Sequence, residues 1–266
     1  MIITSAQNPR IKSIMALEKS RERKASGLFT VEGLQEVTHA VQAAYRIRTL
    51  VVCPEIAGDR HQHLLRSADE ILQVSPEVFS RLVLREHSGG VMAVAEMKGH
   101  ALEDIRLSDC PLILVVEAVE KPGNLGALLR IADGAGIDAV VICDPLIDVY
   151  NPNVIRSSVG CVFTVPVAVA GASQTIDWLK SLGVSVFATH LQASKPYDRV
   201  DFTKPCAIVM GTESTGLSSQ WWSASDQNII IPMRGRNDSL NVSTAAAVVV
   251  FEAVRQRQTE NPAVHD

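Results

Sequence analysis

The chain is poor in aromatic side chains, at 5% of 266 residues, and it has no apolar run of bilayer-spanning length. The first scarcity argues against a recognition surface built on ring stacking, the second against a membrane-spanning protein. Cysteine is sparse too: Cys53, Cys110, Cys143, Cys161 and Cys206 include no CxxC pair and are odd in number. Arg10 and Lys12 stand where an export signal needs its apolar core. Reduced, mostly buried thiols in a soluble cytoplasmic protein are therefore expected. His61 and His63 form an HxH pair without a carboxylate or thiol cluster, so a surface loop is expected there and no metal. Neither a phosphate loop ending in Gly-Lys-Ser/Thr nor a GxGxxG dinucleotide fingerprint occurs. No charge sign dominates either. With 25 Lys+Arg against 29 Asp+Glu, the net of −4 gives no global field for a polyanion.

What is present suits a globular chain of about two domains: 47% hydrophobic and 20% charged residues. Charge is unevenly placed. The first 25 residues hold Arg10, Lys12, Lys19, Arg21, Arg23 and Lys24 against Glu18 and Glu22. Ile11, Ile14 and Met15 at helical spacing make 8–24 a basic amphipathic helix, and the charges alone fit a solvated face as well as a phosphate contact. GLFTVEG (27–33), a helix over 34–44, IRTLVVCP (47–54) and VMAVAEM (91–97) complete a small α/β unit over 1–98. Polar residues 98–110 mark a boundary, and 108–266 reads as a second domain. There PLILVVEAV (111–119), DAVVICD (138–144), VFTVPVAV (162–169), SVFATH (185–190) and AIVMG (207–211) are runs suited to strands buried on both faces. Helices over 124–135, 173–182 and 241–257 lie between or after them. This alternation predicts a parallel sheet of the doubly wound α/β class, which binds ligands beyond the carboxyl ends of its strands.

Three segments stand at such ends. Asn124-Leu-Gly126-Ala-Leu-Leu-Arg130 opens a helix, with Asn124 as a possible N-cap. Gly211-Thr-Glu213-Ser-Thr-Gly216 follows an apolar strand. Ile231-Pro-Met233 leads through Arg234-Gly-Arg236-Asn-Asp to Ser239-Leu240-Asn241-Val-Ser-Thr-Ala245 and a small-residue helix. Taken singly, they fit a capped helix, a strand-to-loop turn and a buried helix start equally well.

Taken together, in this order, they resemble the three motifs of the SpoU (TrmH-type) branch of the SPOUT RNA methyltransferases: NxGxxxR, GxExxG, and IPM followed by SLNVSxA. The stretch Asn151–Gly160 is also similar to the segment between the family's first two motifs, so the likeness covers about 108–258. Asn8-Pro9 with its basic helix, FTVEG (29–33) and HSGGVMAV (87–94) resemble, less closely, the ribosomal-protein-like substrate-binding domain attached to many members.

The resemblance implies a C-terminal SPOUT domain with a deep trefoil knot, where the strand pattern alone gives an ordinary doubly wound sheet. It further implies S-adenosylmethionine bound near Gly211, Ile231 and Leu240, an obligate homodimer, and methyl transfer to a ribose 2′-hydroxyl in RNA, ribosomal RNA of the large subunit above all. Asn124, Arg130, Glu213, Ser239 and Asn241 are the implied catalytic positions, with Arg130 supplied across the dimer. A guanidinium is a poor base, so stabilising the developing alkoxide and clamping a phosphate fit Arg130 better than proton removal. No metal is called for. With RNA as substrate, Arg21, Arg23, Lys24, Arg234 and Arg236 are the expected phosphate contacts. A transfer RNA methyltransferase and a non-catalytic ribosome-assembly factor of the same fold are the alternatives.

Overall fold

The computed structural model describes residues 2–84, 88–192, 194–212 and 215–260. The chain divides into two compact units, Met1–Gly99 with Asp148–Thr164, and His100–Ile147 with Val165–Asp266. The first break falls inside the polar stretch expected as a boundary. Residues 148–164, read from the sequence as part of the second domain, instead pack in the first unit.

The first unit carries a four-stranded sheet of β1 (Leu28–Glu32), β2 (Ile47–Val52), β3 (Ala68–Gln73) and β4 (Val91–Glu96), in the order β1-β4-β2-β3. β4 is antiparallel to both neighbours, and β2 runs parallel to β3. Ile11, Ile14, Leu72, Val78, Phe79 and Met92 pack into one apolar cluster with parts of this sheet. The expected basic helix is two helices. Asn8 caps Pro9–Ala16 by accepting the Arg10 N–H at 2.9 Å, with Pro9 at the first turn, where its missing N–H is no loss. Ser20–Ser26 follows and ends at Gly27, whose φ of 67° is a left-handed value natural to glycine.

Arg23 corrects the sequence reading. Its side chain is 1% exposed, and its guanidinium grips Asp148 at 2.7 and 2.8 Å while donating to the Leu17 and Glu18 carbonyls. Four of its five N–H groups are engaged and the side chain is buried, so it does not reach a phosphate, whereas Arg21 and Lys24 of the same helix are exposed. Asp148 opens the inserted segment, and the helices Pro152–Ser157 and Cys161–Thr164 bring Tyr150 and Phe163 against the unit's own Phe29 and Tyr45. The Phe29 ring lies 4.2 Å from that of Tyr150, and Tyr45 meets Phe163 edge-on at 5.1 Å. The Tyr45 and Tyr150 hydroxyls are 3.2 Å apart, and burial pushes both phenols above their ordinary range. A chain with few aromatics concentrates four of them here.

The second unit is built on a seven-stranded sheet in which every neighbouring pair is parallel. Its strands are β5 (Leu112–Glu117), β6 (Ala139–Cys143), β7 (Val167–Ala170), β8 (Ser185–Thr189), β9 (Lys195–Pro196), β10 (Cys206–Met210) and β11 (Gln227–Ile230). Their order is β7-β6-β5-β10-β8-β11-β9. β5, β6 and β10 are buried along their whole length, as their unbroken Val/Ile/Leu runs require. The run 162–169 is not one strand. Pro166 divides it into the helical turn Cys161–Thr164 and β7, since the residue before a proline is held extended. β9 and β11 are too short, and Gln227 and Asn228 too polar, to register as apolar runs. Helix Pro122–Ala135 follows β5 and packs against the last helix, Val242–Glu260. Burial pushes the Cys143 thiol up to about 12 and that of Cys206 up to about 11, so both act as small apolar groups. Among the described residues, no helix is long and apolar enough to cross a membrane.

Candidate active site

Reading the sheet from β7, sequence order falls through β6 to β5 and then jumps to the later strands where β10 lies beside β5. Such a switch opens a crevice at the carboxyl edge, because successive crossovers leave on opposite faces. β5 and β10 are in register from Leu112↔Cys206 to Val116↔Met210, so the segments after Glu117 and after Met210 emerge side by side. The ends of β8 and β11 lie on the same edge and deliver His190 and Ile231. All three motif segments therefore leave one edge of one sheet.

Ala118, directly after β5, has a φ of 52°, and its N–H donates to the Cys143 carbonyl at 2.9 Å. A left-handed alanine costs about 1 kcal/mol, held here by the strand pairing on either side. The turn leads into Pro122 at the first helical position, with Lys121 as N-cap. Asn124 is thus not the cap expected from the sequence but a first-turn residue, because Pro122 starts the helix two positions earlier. Its Oδ1 accepts from Asn241 Nδ2 at 3.1 Å, tying the first motif to the third. Asn241 is the residue that caps: its Oδ1 accepts the Ser243 N–H at 3.0 Å and the Ser243 hydroxyl at 2.6 Å, and its carbonyl accepts the Ala245 N–H.

Two cavities flank this link, Leu240 lining one and Val242 the other. The larger is walled by Ile229, Ile231, Leu240 and Val249, with Thr189, Asp238 and Ser239 among its polar groups. Among the described residues the N–H groups of Met233 and Leu240 donate to no protein acceptor. Apolar walls, free backbone donors and one carboxylate suit an adenosine that carries a cationic sulfonium tail, so the residues present fit S-adenosylmethionine. The second cavity is lined by Ala118, Lys121, Asn124, Gly211, Thr212 and Val242. Gly211 is needed for the loop itself. A Cβ there would lie 2.4 Å from the Gly216 carbonyl carbon, across a turn closed by hydrogen bonds between Thr212 and Gly216.

Of the other expected residues, Ser239 is exposed and donates to Asp238 at 3.0 Å, and Arg234 and Arg236 are exposed on the same loop. Glu213 lies outside the described residues. Arg130 is exposed, and its side chain makes no hydrogen bond among the described residues. Six residues beyond Asn124, it leaves the helix about 120° around and about 9 Å along the axis, away from the Asn124–Asn241 link. Within one chain, then, Asn124, Asn241, Leu240, Ile231 and Ser239 come together and Arg130 does not join them. Glu117, a carboxylate 5% exposed at the end of β5, lies outside the three motifs. Its only signal is a charged residue closing an otherwise apolar run.

The second unit's fold is that of a parallel α/β domain with a crevice at the sheet's switch point. The chain matches the SpoU rRNA Methylase family over residues 111–251 and the MRM3-like substrate binding domain over residues 8–93. It is 32% identical over 251 residues to the 23S rRNA (guanosine(2553)-2'-O)-methyltransferase RlmP of Bacillus subtilis, covering 94% of this chain and 97% of the relative. A 23S rRNA (uridine(2479)-2'-O)-methyltransferase of Streptomyces viridochromogenes is 30% identical, with 95% and 92% of the two chains covered. Among solved structures, the AdoMet-bound rRNA methyltransferase from Sinorhizobium meliloti superposes with a TM-score of 0.87 at 32% identity, covering 96% of this chain and 97% of the other. The chain belongs to the SpoU rRNA methylase family.

Proposed function

We propose that this protein transfers a methyl group from S-adenosylmethionine to the 2′-hydroxyl of a ribose in ribosomal RNA of the large subunit. The observation that carries the reading is the convergence of the three motif segments at the switch point, locked by the 3.1 Å bond between Asn124 and Asn241. Relatives that align over nearly the whole of both chains are 23S rRNA 2′-O-methyltransferases by name, which supports the substrate.

When bound, S-adenosylmethionine supplies an electrophilic methyl on a sulfonium, so the chemistry asked of the protein is positioning and handling of one proton. Asn124, fixed by Asn241, and the exposed Ser239 hydroxyl orient the ribose. Leu240, Ile231 and the backbone after Gly211 hold the cofactor. Arg130 stabilises the alkoxide as it forms and grips the adjoining phosphate, which a planar guanidinium does bidentately. Exposed Arg21, Lys24, Arg234 and Arg236 contact RNA phosphates.

Arg130 faces away from its own chain's link, so it serves the site of a second copy in a homodimer. The last helix offers the surface. Ala246, Val249, Val250 and Ala253 are buried within the chain, while Phe251, 48% exposed, shares an outward stripe with the half-buried Ala247 and Val248. Replacing Phe251 with Glu is expected to give a monomer by sedimentation and to abolish methyl transfer; a dimer of normal activity would move the interface elsewhere. The knot of the family, tied by the segment from Gly211 into the last helix, and a cytoplasmic location complete the reading.

The test incubates the protein with methyl-labelled S-adenosylmethionine and, separately, ribosomal or transfer RNA, and then digests the RNA. The expected product is one 2′-O-methyl nucleoside from large-subunit RNA. Label in transfer RNA alone would overturn the substrate, and failure to bind the cofactor would leave an RNA-binding factor.

A further inference from the structure

Glu117 closes β5 as a carboxylate among apolar neighbours, and among the described residues no cation pairs with it. Its partners are three neutral donors. Oε2 accepts the Ser218 N–H at 2.7 Å, and Oε1 accepts the Ser218 hydroxyl at 2.7 Å and the Trp221 indole N–H at 3.1 Å. Trp221 is itself fully buried, and Glu117 is 5% exposed. Burying a carboxylate without a counter-charge is costly, and an apolar residue at this place would continue the strand more cheaply. The bonds instead reach 101 residues along the chain, to the far end of the loop that begins at Gly211.

That loop is pinned at both ends. At its start, Gly211 allows the backbone of Gly216 and Leu217 to approach where a Cβ could not fit, and Thr212 and Gly216 exchange two backbone hydrogen bonds. At its end, Ser218 is the N-cap position of helix Ser219–Ala224, and its side chain makes no capping bond because it is turned to Glu117. The residue after Glu117 is the left-handed Ala118, from which the first motif starts. One buried side chain thus sets the second motif's loop against the root of the first.

We propose that Glu117 is a positioning residue for cofactor binding, holding the Gly211 loop at the height and angle that the cavity shared by Gly211, Thr212 and Asn124 requires. This rests on the function proposed above. Glu117 touches neither cofactor nor ribose and acts through Ser218 and Trp221.

The experiment compares full-length wild type with Glu117→Gln and Ser218→Ala. Glutamine keeps the volume but replaces one acceptor oxygen with a donor, so one of the three bonds fails. Two readouts are taken: the dissociation constant for S-adenosylmethionine by calorimetry, and amide hydrogen exchange without cofactor. Glu117→Gln is expected to weaken cofactor binding about tenfold, with kcat at saturating cofactor near wild type. Exchange should quicken in the peptide spanning 211–218 and stay unchanged in β6 and β7. Ser218→Ala, which keeps the backbone donor, should show the same pattern more weakly, and it decides the matter if the glutamine variant does not fold. Unchanged exchange at 211–218 with unchanged affinity overturns the positioning role. Faster exchange throughout the sheet does so as well, since it marks general destabilisation. A wild type that binds no cofactor, with exchange still quickened at 211–218 in the variant, would instead overturn the proposed function and leave Glu117 as the anchor of that loop.

Discussion

Co-expressed as differently tagged chains, the Arg130→Ala and Asn124→Ala variants are each expected to be inactive alone and to recover about a quarter of wild-type methyl transfer together. If each site takes Asn124 from one protomer and Arg130 from the other, a mixed dimer has one intact site and one lacking both residues. Random pairing makes half of all dimers mixed. Each single variant should lose about 10²–10³-fold in kcat, the scale set by removal of one group that stabilises developing charge. Recovery is measured on the doubly purified mixed dimer and on the unfractionated pool. No recovery in either would mean that Arg130 works within its own chain or not at all. Arg130→Lys sharpens the test: lysine keeps the charge but not the planar fork, so activity near wild type would rule out a bidentate grip.

Arg23→Ala is the substitution expected to cost the most stability, about 3–5 kcal/mol, the usual cost of breaking a buried ion pair from one side. It strands Asp148, whose side chain is 13% exposed, and leaves the Leu17 and Glu18 carbonyls without their donor. Urea denaturation of the first unit, followed by tyrosine fluorescence from the Tyr45–Tyr150 pair, reads this directly. Arg21→Ala and Lys24→Ala, on the exposed side of the same short helix, should change stability by less than about 0.5 kcal/mol. Together they should flatten the dependence of log K for RNA on log salt by about 1.8, the slope expected from two lost phosphate contacts. Unchanged stability in Arg23→Ala would show that the buried pair is dispensable. An unchanged salt slope in the double variant would remove the helix from the RNA interface.

Those three neighbouring cations show where sequence reading succeeds and where it stops. Charge density marks a helix with basic character, and Arg21 and Lys24 do face solvent. That Arg23 does not is decided by Asp148, 125 residues away, and no local pattern carries that pairing. The strands of the second unit were legible because a parallel sheet buried on both faces demands unbroken apolar runs, which β5, β6 and β10 supply. β9 and β11 were not, being short and held at one end of the sheet by pairing rather than by hydrophobic pattern. Within the site, the three motifs pointed to the residues that gather at the switch point. Their wording did not reveal that Asn124 sits inside the first turn, that Asn241 is both cap and tie, or that Glu117 anchors the loop after β10. Each of these depends on which strand lies beside β5.

The inserted segment 148–164 also bears on the order in which the protein is made. The first unit's sheet is complete once Glu96 has left the ribosome, but Phe29 and Tyr45 then still lack Tyr150 and Phe163, and Arg23 lacks its carboxylate. At about 5–20 residues per second, the wait until Thr164 is made is on the order of several seconds. During that time β5 and β6 are synthesised while an aromatic face and a cation stand open upstream. The first unit therefore cannot be finished before the second has begun, and the two are made as overlapping rather than successive units.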